Sequence, residues 1–151
     1  MEKIVAKYKD KGLRLTPQRI AILRFLEGNT NHPTAEDIFK EVKKGNPTLS
    51  FATVYNTLQA LRDKGEVLEI TIDPAKRHYD PNTAPHHHIV CTDCNEIQDV
   101  FVDYSDVLKL PAHVLKEFKP LGNHVDFYGL CRDCQKNMTQ KILTKAKGGE
   151  S

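Results

Sequence analysis

LSFATVYNTLQALRDKGEVLEITIDPAKRHYD, residues 49–80, decides the fold. Its first half has helical periodicity. Ser50 can cap the helix, and Val54, Leu58 and Leu61 recur at i, i+4 and i+7, an apolar stripe for a core. The opposite face carries Ala52, Asn56 and Gln59, with Tyr55 at its edge. That face is short, polar and able to form hydrogen bonds, although an ordinary solvated face has the same composition. In the second half, β-rich runs flank Asp73-Pro74 and predict a hairpin.

Two further helices are predicted upstream. In TPQRIAILRFLEGN (16–29), Thr16 can cap, Pro17 suits the first helical position, and Ile20, Leu23 and Leu26 recur at helical spacing before Gly28-Asn29. In HPTAEDIFKEVKKGNP (32–47), Thr34 with Asp37 resembles a capping box, Ile38, Phe39 and Val42 form the apolar face, and Gly45-Asn46-Pro47 ends the run. Three short helices followed by a hairpin is the order of a winged helix-turn-helix, in which the third helix enters the major groove and the hairpin is the wing.

Downstream, PNTAP (81–85) is a Pro-rich hinge. HHHIVCTD (86–93), EIQDVFV (96–102) and NHVDFYGLC (123–131) look like strands. SDVLKLPAHVLKEF (105–118) looks helical, with a kink or break at Pro111, and the tail KAKGGES (145–151) is expected to fray. The expected architecture is α+β: a winged-helix DNA-binding domain over 1–81, a hinge over 82–85, and a small metal-binding α/β dimerisation domain over 86–151. A sheet of three short strands buries little, and a second copy of itself is the simplest cover for its apolar face.

At 151 residues, 39% hydrophobic and 28% charged, the chain reads as globular. No apolar run approaches the ~20 residues of a membrane span. The first residues lack the apolar core and cleavage site of a signal peptide, so the expectation is a cytoplasmic protein with no membrane partner. Residues 1–81 hold 14 Lys and Arg against 11 Asp and Glu, whereas the remainder holds 8 against 9. This bias permits a nucleic-acid partner for the first half without requiring one.

The four cysteines fall in two pairs, CTDC (91–94) and CRDC (131–134), separated by 36 residues. Two C-x-x-C pairs point to tetrahedral zinc. Cys91, Cys94, Cys131 and Cys134 would form a closed structural site with no open position for chemistry, and a small subdomain must fold between the pairs. His86 and His88 alternate along a strand and share a face, while His87 points to the other. Asp99 on the next strand could reach the same pocket. Asp80 ends the wing, and His32 precedes the second predicted helix. Such a nitrogen–oxygen set suits Fe(II), Mn(II) or Zn(II). From spacing alone, the stronger reading of His32 is a solvated loop residue and of Asp80 a turn cap.

LTPQR (15–19), HPTAEDIF (32–39), ATVYNTL (52–58), HHHIVC (86–91), CTDC and CRDC together resemble the ferric uptake regulator family, in its order and spacing, from about residue 12 to 136. The resemblance implies a dimeric repressor with a structural zinc and a regulatory metal, Fe(II) or Mn(II). The set His32, Asp80, His86, His88 and Asp99 is similar to the regulatory site of the family's peroxide-sensing branch, and Asn56 also resembles that branch. It implies that Fe(II) and peroxide oxidise His32 and His86, releasing the metal and the operator. Iron sensors more often carry glutamate at the places of Asp80 and Asp99. The chain departs from many of them at Pro85 and Asn123, where they carry histidines, which puts their additional metal site in doubt. His87, His113 and His124 stay unassigned and are expected at the surface.

For DNA, Tyr55 and Asn56, with Thr53 nearby, are the base-edge candidates, and Arg14, Arg19 and Lys76 the phosphate candidates. The expected partner is an AT-rich palindromic operator bound by a homodimer. The alternatives are an iron- or zinc-responsive repressor of the same family without peroxide sensing, a metallohydrolase, and a zinc-stabilised interaction module. A hydrolase would want a placed general base, often as H-E-x-x-H, which is absent.

Overall fold

The computed structural model describes residues 2–148, which divide into two compact units between Ala84 and Pro85. The first contains α1 (Glu2–Lys9), α2 (Pro17–Leu26), α3 (Ala35–Lys43), α4 (Phe51–Asp63) and the antiparallel hairpin β1 (Leu68–Asp73)–β2 (Lys76–Asp80). The Thr16 hydroxyl accepts from the Arg19 amide at 3.2 Å to start α2, and Gly28, at φ +69°, takes the left-handed turn that follows it. Ser50 accepts from the Thr53 amide at 3.1 Å. Ile22, Leu23, Leu26, Ile38, Val42, Val54, Leu58 and Leu61 fill one core with Tyr79 of the wing.

The helix α1 was not expected. Its charges conceal one buried pair, Ile4 and Tyr8, a helical turn apart and packed into that core, while Lys3, Lys7 and Lys9 remain exposed. Among the described residues the unit therefore has four helices, and the winged-helix order expected from sequence is α2–α4 plus the hairpin.

The capping box on α3 is complete. Thr34 Oγ1 accepts from the Asp37 amide at 3.2 Å, and Asp37 Oδ2 accepts from the Thr34 amide at 3.0 Å. Partial burial works against the Asp37 charge, but the Thr34 amide and hydroxyl outweigh it and hold the carboxyl below its ordinary value of 3.8. Thr34→Ala is expected to cost about 1 kcal/mol at neutral pH, measured by denaturant unfolding. Because the folded-state pKa of Asp37 is depressed, its share is present at neutral pH and lost as pH falls through that value. The gap between wild type and variant should accordingly narrow below pH 3.8.

The second unit contains β3 (His87–Cys91), β4 (Ile97–Val100), α5 (Ala112–Leu115), β5 (Asp126–Gly129) and α6 (Arg132–Lys147). The strand order is β4-β3-β5, with β4 antiparallel and β5 parallel to β3. The register puts Asp99 and Asp126 on either side of His88. Two sequence expectations are corrected. The strand expected over 96–102 stops at Val100, which pairs with His87 where β3 begins, so Phe101 and Val102 have no strand to pair with. The helix expected over 105–118 shrinks to Ala112–Leu115. Pro111 disfavours helix in the residue before it and has no side-chain cap to offer. Lys145–Lys147 of the tail are helical, and Gly149–Ser151 lie outside the described residues.

The buried apolar set of this unit is small: Val90 and Ile97, with Cys91 and Cys134. Val107, Phe118 and Leu121 are 79%, 57% and 95% exposed. So little burial needs a further staple. Among the described residues no helix is long and apolar enough to cross a membrane.

Candidate metal centres

The four cysteines converge. Cys91 ends β3 and Cys94 follows on a turn completed by Asn95, whose φ of +61° lets its amide return to the Cys91 carbonyl at 2.9 Å. Cys131 is the N-cap residue of α6 and Cys134 lies in its first turn. The sulfurs all lie within 4.8 Å of one another, with Cys94 and Cys131 Sγ 3.8 Å apart. Four thiolates at the Zn–S distance of ~2.3 Å in a tetrahedron sit ~3.8 Å apart, so this set fits zinc. The amides of Cys131 and Cys94 point at the Cys91 sulfur and bring its pKa down to about 6. The side chains of Asp93 and Cys131 push the Cys134 thiol up. So crowded a cluster can lose all its protons only to a cation.

The other candidate ligands form two groups, one in each unit. In the first unit, His32 Nε2 lies 3.3 Å from Asp80 Oδ2, and both side chains are 1% exposed. His32 is fixed by its backbone, at φ +51°, a conformation sparsely populated for a non-glycine residue. Its carbonyl accepts from His78 Nδ1 at 2.7 Å, and the next carbonyl, Pro33, accepts from the Tyr79 amide at 3.0 Å. The segment before α3 is thus laid along β2, which ends at Asp80. Asp80 Oδ1 accepts from the Asn82 amide at 2.8 Å.

In the second unit, the Nε2 atoms of His86 and His88 each lie 3.3 Å from Asp99 Oδ1. Both histidines are buried, their rings 4.7 Å apart and nearly perpendicular. Each histidine stands from Asp99 at a spacing that suits two ligands of one divalent ion, since bonds of ~2.1 Å place neighbouring ligands ~3.0–3.4 Å apart. His86 also stacks on the exposed ring of Phe101, centroids 5.5 Å apart. A further group, His88, His124 and Asp126, has ligand atoms within 4.8 Å of one another.

His87 is not at the surface as expected. It is buried, its Nδ1 accepts from the Val125 amide at 3.0 Å, and its ring lies 4.8 Å from Tyr104. Val125, just before β5, and Tyr104 lie against it, neighbours that local alternation does not reveal. His113 is exposed and the His124 side chain 45% exposed. His78, His124 and Asp126 were missed as contacts of candidate ligands. For the last two, the alternation expected over 123–131 puts residues 124 and 126 on one face but names no partner strand.

In the first unit, Ala52, Tyr55, Asn56 and Gln59 form an exposed face of α4, with Thr53 half-buried beside it. A shallow groove beside that face is lined by Arg14, Gln18, Arg19, Asn46, Thr53 and Asn56. Arg19 Nη1 donates to the Arg14 carbonyl at 3.0 Å, and Lys76 is exposed at the hairpin turn.

Residues 10–128 match the sequence model of the ferric uptake regulator family. The chain belongs to the ferric uptake regulator family. It is 35% identical over 136 residues, 89% of this chain and 91% of the relative, to the peroxide-responsive repressor PerR of Staphylococcus aureus strain Mu50. The ferric uptake regulator of Francisella tularensis, solved with iron, superposes with a TM-score of 0.71 at 26% identity, covering 82% of this chain and 96% of that one. That of Vibrio cholerae gives 0.67 at 27%, covering 84% and 98%. Membership of the ferric uptake regulator family makes the chain a transcription regulator with an N-terminal winged helix and a C-terminal dimerisation domain, and not an enzyme.

Proposed function

We propose that this member of the ferric uptake regulator family is a metal-dependent dimeric repressor that senses peroxide through oxidation of its own ligand histidines. The observation that carries the proposal is the pair of buried half-sites, His32–Asp80 in one unit and His86–His88–Asp99 in the other, each with donor atoms 3.3 Å apart. One ion shared by the two would tie the DNA-reading helix to the dimer domain. It would thereby favour the arrangement in which two copies of α4 sit about one helical turn apart, ~34 Å. Aspartate at 80 and 99 and the 35% identity to a peroxide-responsive repressor support peroxide sensing over iron or zinc sensing within the family.

The four cysteines would hold a structural zinc, and the two half-sites Fe(II) or Mn(II). Fe(II) held there would activate peroxide, one oxygen entering a ring C–H bond and the other leaving as water. His32 and His86 are the rings expected to take up an oxygen atom. An oxidised ring is a poor ligand, so the two halves part and repression lifts. Mn(II) would support DNA binding without this reaction. The exposed apolar residues of the second unit supply the surface a second copy would cover.

The DNA test is a mobility shift of full-length protein on an AT-rich palindrome with and without Mn(II). Binding is expected only with metal. Tyr55→Ala, at an exposed position, should cost about 1–3 kcal/mol of binding with melting unchanged. Affinity should fall steeply with salt through Arg14, Arg19 and Lys76. Metal-independent binding, or a Tyr55→Ala protein that binds as wild type, would contradict the assignment.

A further inference from the structure

The ring of His88 lies between two carboxylates. Its Nε2 is 3.3 Å from Asp99 Oδ1, and its Nδ1 is 3.3 Å from His124 Nε2 and 3.5 Å from Asp126 Oδ1. Asp126 is held in turn by His124, whose Nε2 is 2.7 Å from the same Oδ1 and whose Nδ1 is 3.0 Å from the His86 carbonyl oxygen. A neutral ring holds one proton, and on Nε2 of His124 it is donated to Asp126 of β5 across the shorter of the two contacts. The 2.7 Å separation is a hydrogen bond, closer than two ligands of one ion stand. Asp126 and His124 are a hydrogen-bonded pair.

A neutral imidazole carries one ring proton. On Nε2 of His88 it would face Asp99 and occupy the lone pair a metal needs. On Nδ1 it faces Asp126 and leaves Nε2 open. Ligand histidines are commonly set in this way by a carboxylate on the far nitrogen. We propose that Asp126 is a positioning residue of the regulatory centre: it fixes the His88 proton on Nδ1 so that Nε2 is presented to the metal, and His124 holds Asp126 in place. The inference rests on the assignment of His88 as a ligand.

Two readouts on the full-length, zinc-loaded dimer test it: Mn(II) affinity by titration, and the position of the His88 ring proton from ¹⁵N spectra without Mn(II). Asp126→Ala should weaken Mn(II) binding about ten- to a hundredfold, with zinc content unchanged, and should move the His88 proton from Nδ1 toward Nε2. Asp126→Asn keeps an acceptor in place and should restore most of the affinity. Should Asp126→Ala lose its zinc, His124→Ala at a half-exposed position carries the test, with a smaller loss and a partial shift of the proton expected. A His88 proton that does not move, or Mn(II) binding as in wild type, would overturn the proposal. His88→Ala separates the two levels. If it binds Mn(II) normally, the metal-site assignment itself fails. If it abolishes binding while the Asp126 and His124 variants do not, only the positioning role fails.

Discussion

Replacing Cys134 with alanine is expected to abolish zinc binding and to leave the second unit unfolded and unable to dimerise, while the first unit keeps its cooperative unfolding. The buried apolar set of residues 85–148 is too small to hold that unit, whereas Ile22, Ile38, Val54, Leu58 and their neighbours give the first unit a core of its own. A structural zinc contributes on the order of 10 kcal/mol, more than the whole stability of a small domain. Cys134 is buried beside the other three sulfurs, so three remaining thiols could not close the tetrahedron. Zinc content by mass spectrometry and oligomeric state by sedimentation check this. A zinc-free Cys134→Ala protein that remains a folded dimer would assign the stability to packing instead.

The second large effect is expected from His32→Ala, which should bring the operator affinity of Mn(II)-loaded protein down to that of the metal-free form while the zinc stays bound. A ligand shifts a conformational equilibrium only by its differential affinity for the two states. Moving it from 1:99 to 99:1 needs a factor of about 10⁴. In the proposed clamp that factor comes from the ligands of the first unit, His32 and Asp80. With one of them deleted, the ion can still sit on His86, His88 and Asp99 but no longer distinguishes the two arrangements. Asp80→Asn should act in the same way, and it leaves the unusual backbone at His32 in place. Operator affinity unchanged by Mn(II) loss in wild type, or unchanged by both substitutions, would rule out the clamp.

What could be read from the chain in advance follows a physical division. Periods and caps are local, so Thr16, Thr34 and Ser50 mark their helices, and Val54, Leu58 and Leu61 their core face, without any tertiary information. Cysteine chemistry is nearly as local, because two C-x-x-C pairs have few other uses. Features that depend on a distant partner were hidden. The helix α1 is stabilised by Ile4 and Tyr8 packing into the core of the first unit, next to α2. The predicted strand through Phe101 and Val102 has the right composition but no remaining partner in the sheet. His87 looks solvent-facing until Val125 and Tyr104 are brought beside it. The positions of His124 and Asp126 against His86 and His88 required the parallel register of that strand, which no spacing within residues 123–131 reveals.

Peroxide sensing by ligand oxidation is tested most directly by peptide mass spectrometry. Full-length protein loaded with Fe(II) or with Mn(II) is exposed briefly to peroxide, and the peptides carrying His32 and His86 are compared. An added oxygen atom on one or both peptides with Fe(II) but not with Mn(II), alongside loss of DNA binding, is the expected result. Unmodified peptides from Fe(II)-loaded protein whose metal-dependent DNA binding survives peroxide would contradict it and would make the protein an iron- or zinc-responsive repressor on the same fold.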